Sequence, residues 1–470
     1  MFEPVIAPSG TLLGLLQRGR GDGTLHALTA PRDEALAALN HCVLSDPRHD
    51  WQVENRSLYY ARLYLDLHGE LGEIERHLFD PEDLIDTDES RTGLALSVLG
   101  HLASYGRRDA LDLLRRYAAC GGSWAWALDE LALRDDDAGL RSLAEPVLAR
   151  FPADAEADLA AAVRDAYEPR PWRLWAEDPR PHVGARVRAA QEAGSFDRWQ
   201  RQMRPAGPRP EWSVQAVFAW AQEGFERGAV LYVPAARCLS AVAGPEDRPE
   251  IVRAAQDGTD GARCTALRYL ADTHDPDALD LVEAAVESPS RAVVDAALDA
   301  FERMRTVAAV ERARRWAHRP DALGAAAGRM LACRGAASDG ELVLHALREA
   351  LRGDGPDAPT LWPLVDGAGR LGIACAAPVL RHIYRETASS HLRGHAARAL
   401  AATDPSFAAG FAVECLWDCE ESTREIAARH AETGDARVVD QLRRLAADPA
   451  EEDEVQTAVR SRIGPDAPAL

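Results

Sequence analysis

Two histidines and two cysteines near the C-terminus have the types and the spacing of a metal site. His391 and His395 stand four apart on one predicted helix, and Cys415 and Cys419 stand four apart on the next. Two imidazoles and two thiolates can hold a zinc ion tetrahedrally. Both cysteines, however, fall on the apolar stripe of their helix, where a free thiol packs as a small core residue. The histidines lie beside that stripe, and no tight CxxC knuckle accompanies them. The sequence therefore predicts reduced core cysteines here, with no metal and no cofactor.

A second constellation lies in the middle of the chain. Residues 169–212 hold nine arginines against five acids, inside a protein whose formal charge is −21. Four tryptophans (172, 175, 199 and 212) and several prolines share the segment. Arginine with tryptophan is the composition of protein-interface hot spots, and of grooves that stack bases and neutralise phosphates. Arg170, Trp172, Arg173, Trp175, Arg186, Arg188, Trp199 and Arg201 are thus the candidate partner-binding residues. The alternative is structural: the tryptophans fill a junction between two arrays while the arginines pair with acidic flanks.

What is missing excludes much else. The chain has no lysine, so all 54 of its Lys/Arg cations are arginine. Every mechanism that needs a lysine amine falls away, including the Walker A phosphate loop, pyridoxal Schiff bases and Ser–Lys acyl transfer. HExxH, G-x-S-x-G and CxxCH do not occur. The acidic run 80–89 lacks the spacing of a calcium hand and reads as a linker loop. Asp135-Asp136-Asp137 and Glu451-Glu452-Asp453 read as solvated turns at helix ends. No catalytic residue is assigned, and the expectation is a non-enzyme.

The elements that carry these residues are legible from periodicity. Composition is ordinary for a globular chain at 47% hydrophobic and 27% charged, but aromatics are only 6%. A core of Ala, Leu and Val suits closely packed helices. Asp109-Ala-Leu-Asp-Leu113 and Asp277-Ala-Leu-Asp-Leu281 are identical and start 168 residues apart (277 − 109), each preceded seven residues earlier by Leu-Ala. Small residues followed by a large apolar one recur at Ala266…Leu270, Ala297…Phe301, Ala327…Leu331, Ala368…Leu371, Ala396…Leu400 and Ala427…Ala431. Each is followed by a turn and a second amphipathic stretch, at Leu279–Val286, Val310–Ala317, Leu342–Leu351, Val379–Tyr384, Phe407–Leu416 and Val438–Leu445. Paired helices of about 30 residues with alanine at the contact predict an all-α solenoid of helical hairpins.

This pattern resembles the short HEAT-like repeats of bacterial proteins, most clearly at Leu392-Arg393-Gly394-His395-Ala396-Ala397-Arg398-Ala399-Leu400. The likeness is close over 257–447 and looser over 91–150. It implies an α-solenoid, and the organisation expected is an irregular helical N-terminal cap at 1–90, repeats at 91–168, an Arg/Trp/Pro-rich junction at 169–212, and a second array with a C-terminal cap at 213–470. HEAT-like hydroxylases build an iron site from His-Glu pairs, which this chain lacks, so that activity is not implied. A HEAT-like lyase acting on a small molecule finds no motif here either. The expected function is a non-enzymatic protein-binding scaffold or adaptor whose net charge favours a basic protein partner. The alternative is a nucleic-acid-binding or DNA-glycosylase-like HEAT protein using the Arg/Trp segment, which the overall acidity opposes. Scattered cysteines, no basic leader and no long apolar run point to a cytoplasmic protein without a membrane span.

Overall fold

Alanine and leucine enter helices at least cost, and runs of them interrupted by Asp, Gly and Pro make short helices with tight turns. The computed structural model describes residues 6–48, 52–85, 89–202 and 212–463, of which 83, 89 and 194–202 are described as backbone only. Among the described residues every regular element is a helix and no strand occurs. The predicted pairs are all present: Asp260–Asp272 with Ala278–Ala285, Arg291–Arg303 with Val307–Trp316, and Ala322–Arg334 with Gly340–Asp354. Leu361–Arg370 with Ala377–Glu386, Ser390–Thr403 with Phe411–Cys415, and Glu421–His430 with Ala436–Ala447 complete the series. The architecture is that of an all-α, solenoid-like protein in which helices pack on their neighbours in pairs.

Small residues stand where helices meet. Ala266, Ala297, Ala327, Ala368, Ala396 and Ala427 are all fully buried, and Leu270, Phe301, Leu331 and Leu400 after four of them close the core. Truncating a buried leucine in such a contact to alanine costs about 2–5 kcal/mol, because the neighbours only partly collapse into the space.

The internal echo is structural as well as sequential. After Glu89–Ser104 the chain turns through Gly106 (φ +84°), with Gly106 N–H donating to Ala103 O and Arg107 N–H to Leu102 O. After Asp260–Asp272 it turns through His274 (φ +57°), with His274 donating to Ala271 O and Asp275 to Leu270 O. These are the same paired bonds of a left-handed helix ending. Glycine occupies that conformation freely, whereas the Cβ of histidine is crowded in it.

Two expectations change. The acidic run is not a loop throughout, because Pro81–Ile85 is a helical turn. Asp80 Oδ1 accepts from Glu82 N–H at 3.0 Å, and a proline fits a first helical position because its missing donor would be unpaired there. Pro171 and Pro181 act alike: Arg170–Ala176 and Pro181–Gln202 are helices with proline in the first turn, so the irregular segment expected there is mostly helical as far as Gln202.

The chain forms two compact units. One comprises residues 1–205 with 385–397 and 406–470, and the other 206–384 with 398–405. In the first, the N-terminal helices pack against the last hairpins of the chain, a pairing that local periodicity does not encode.

Candidate functional site

The Arg/Trp segment is mostly committed to its own unit. Trp172 and Trp175 are 2% and 0% exposed. Their rings meet edge to face at 4.9 Å, Trp172 meets Trp124 at 6.4 Å, and Trp175 Nε1 donates to Leu140 O at 2.8 Å. As partner-binding candidates these two are corrected, because core packing leaves their ring faces no surface to offer a protein or a base. Arg170 donates to Ala132 O and Asp135 O and pairs with Asp137 at 2.6 Å. Arg186 donates to Leu148 O and Phe151 O and pairs with Glu156 at 2.7 Å, and Arg188 donates to Ala176 O. These guanidiniums bind carbonyls left open at helix C-termini, a capping role. Arg173 is exposed. The side chains of Trp199 and Arg201 lie outside the described residues.

The His/Cys quartet does not assemble. Among the described residues, no three His, Cys, Asp or Glu side chains are placed to hold a metal ion. Cys415 is fully buried, and His391 Nε2 lies 3.7 Å from Glu420 instead. The backbone of Cys419 joins the N-terminal segment to the last hairpins, its N–H donating to Gly19 O at 2.8 Å. Burial and the adjacent Asp418 push the Cys419 thiol up, away from the reactive thiolate.

That junction gathers a buried network of arginines and acids, and sequence reasoning missed it. Glu451, read as part of a solvated turn, is buried. Its carboxylate takes Arg424 in a fork at 2.7 and 3.0 Å, and also Arg62 at 3.1 Å. Arg62 pairs with Asp448 at 2.7 Å, and Tyr105 Oη donates to the same carboxylate at 2.8 Å. Asp135, from the other acidic triplet, is likewise buried and holds Arg115 at 2.5 Å. The one signal available beforehand was an arginine about one hairpin away from each of these acids.

A second contact pins the turn at 385–390. Glu54 accepts from Ser389 Oγ at 2.5 Å and from Ser390 N–H at 2.6 Å, so it caps helix Ser390–Thr403 across the fold. Burial pushes this carboxylate up, but the serine bonds and Arg56 outweigh it and hold Glu54 at about 2. Arg56 is fully buried and donates to Gln17 O and, at 2.6 Å, to Ala388 O. Gly19 lies in the same seam with φ +69°, and a Cβ there would sit 2.3 Å from Cys419 Sγ.

Two cavities border this network within the first unit. One, of about 350 Å³, lies between Leu63, Tyr105, Trp417 and Leu445. The other, of about 370 Å³, is lined by Glu54, Ser57, His101, Ser390, Glu421 and Glu452 among others. Burial, then the charges of Arg134 and Arg62, hold His101 down at about 4, so its imidazole is neutral near pH 7. Compared with known proteins, the chain matches no family model, and no curated protein is significantly similar to it.

Proposed function

We propose that the protein is a non-enzymatic scaffold of HEAT-like helical hairpins that binds a basic protein partner in the cytoplasm. One observation carries this: arginines are taken up between successive hairpins. In the second unit Arg248 pairs with Asp275 at 2.7 Å, Arg268 with Asp299 at 2.8 Å, Arg314 with Asp339 at 2.8 Å and Arg381 with Asp404 at 2.5 Å. In the first, Arg393 pairs with Asp418 at 3.1 Å and Arg424 with Glu451 at 2.7 Å. With 75 acids against 54 basic residues, such pairing leaves carboxylates over. Glu311, Glu341, Glu421 and Glu452 are exposed and pair with no arginine among the described residues. Surplus carboxylates on rigid helix faces attract and orient basic proteins while repelling nucleic acid.

Affinity purification from the native cell, followed by reconstitution with the recovered protein, tests this. The expected result is a stoichiometric complex that weakens as salt is raised. Repeated recovery of no partner in mild salt overturns it.

A further inference from the structure

The 370 Å³ cavity combines two features that a folded protein avoids unless something enters. The first is like charge without neutralisation. Glu54, Glu420, Glu421 and Glu452 all line it, together with Arg424, His101 and His391. Arg424 is taken up by Glu451 and by the carbonyls of Asp418 and Cys419, so its charge is already matched. His391 faces Glu420, and Glu54 is held by Arg56 and the two serines. Among the described residues Glu421 and Glu452 form no ion pair; Arg424 lies near Glu421, but it is held by Glu451. Burial and then the charges of Glu452 and Glu420 push the Glu421 carboxyl up, which marks the repulsion.

The second feature is independent of charge. Ser57 lines the same cavity and is 1% exposed, yet among the described residues its Oγ has no hydrogen-bond partner. Its N–H is satisfied by Asn55 Oδ1 at 2.8 Å, so only the hydroxyl is left over. A buried hydroxyl without a partner is destabilising, because it gives up its bonds to water and gains none in the fold. A hydroxyl acceptor deep in the cavity and two unneutralised carboxylates at its edge suit a planar or tetrahedral N–H cation. Guanidinium and ammonium carry several donors and no acceptor.

We propose that this cavity receives one guanidinium or primary ammonium group of a basic protein partner, an inference that rests on the scaffold function above. The test uses the full chain and three probes: agmatine, the tripeptide acetyl-Gly-Arg-Gly-amide, and the same peptide with neutral citrulline for arginine. Calorimetry should show the arginine peptide and agmatine binding at one site per chain, and the citrulline peptide binding at least about tenfold more weakly. Glu421→Gln with Glu452→Gln should weaken both cations about tenfold or more. The charge-matched control Asp154→Asn with Asp158→Asn, two exposed acids away from the cavity, should change them less than about twofold. Ser57→Ala should weaken agmatine several-fold while raising the stability of the free protein, a pair of opposite signs that a purely structural serine does not give. Equal weakening by the two double variants, or equal binding of the citrulline peptide, overturns the proposal. A recovered partner that binds the Glu421/Glu452 variant at full strength also overturns it, and leaves the scaffold function standing. Recovery of no partner, with agmatine still bound at the cavity, overturns both the scaffold and the partner as source of the cation.

Discussion

Removing Glu451 should destabilise the first unit far more than removing any exposed carboxylate. The Arg424 and Glu451 side chains are 4% and 0% exposed, and Arg62 shares the same carboxylate. In Glu451→Ala the Arg424 guanidinium keeps its bonds to Asp418 O and Cys419 O at 2.8 and 2.7 Å, but its charge loses its counter-ion. Breaking one partner of a buried pair costs about 3–5 kcal/mol, because the remaining charge cannot be rehydrated. The comparison is Glu73→Ala, whose partner Arg76 is 73% exposed; such surface pairs contribute about 0.2–1 kcal/mol. Urea titration followed by circular dichroism measures both, with the slope checked for a change in denatured-state compactness. Arg424→Met with Glu451→Leu should recover most of the loss, since apolar replacement of a buried pair removes both desolvation penalties together. The network also sets a pH dependence. Although burial pushes Glu451 up, its two arginines outweigh that and hold it below the usual carboxylate range. Its stabilisation is therefore present above the unfolded value of about 4.3 and fades as pH falls through the lower folded value. A loss under about 1 kcal/mol in Glu451→Ala, or equal losses in Glu451→Ala and Glu73→Ala, would refute the reasoning.

Other perturbations read the same seam. Burial, then the charge of Asp22, pushes Glu414 up to about 7. A raised carboxyl favours the folded state when protonated, so its contribution is full below about pH 4 and lost as pH rises through about 7. Glu414→Gln should therefore gain stability over the parent above about pH 7, on the order of 2–3 kcal/mol, and match it near pH 4, as denaturant titrations at both values would show. His274→Gly should raise stability by about 0.5–1 kcal/mol, since the left-handed turn stays and the Cβ crowding goes; a lowered melting temperature would speak against that turn. Gly19→Ala meets both a left-handed φ and Cys419 Sγ at 2.3 Å. It should lose at least about 1–2 kcal/mol in the same titration, and proteolysis should release the N-terminal segment first.

Much of the architecture was legible because helix pairing is a local matter. The alternation of Ala266, Leu267 and Leu270 with Leu279 to Val286 states where a helix begins, which face it buries and where it turns. The identical pentapeptides at 109 and 277 mark equivalent hairpins for the same reason. The site was not legible, and the physical reason is range. Arg62 and Glu451 are 389 residues apart, and Glu54 caps Ser390 across 336, so no window of sequence contains either pair. Charged residues carry no mark of burial in their own neighbourhood: Glu451 and Glu452 are neighbours with the same chemistry, yet one is a core counter-ion and the other is exposed at a cavity's edge. The tryptophans at 172 and 175 show the converse, since the composition of a binding surface is also the composition of a helix contact that needs filling. Sequence alone determined that this lysine-free chain would build helical hairpins from alanine and leucine. Only the tertiary structure decided which arginine meets which acid, because a helix pattern specifies its own buried face and leaves the partner of that face to the packing of the whole unit.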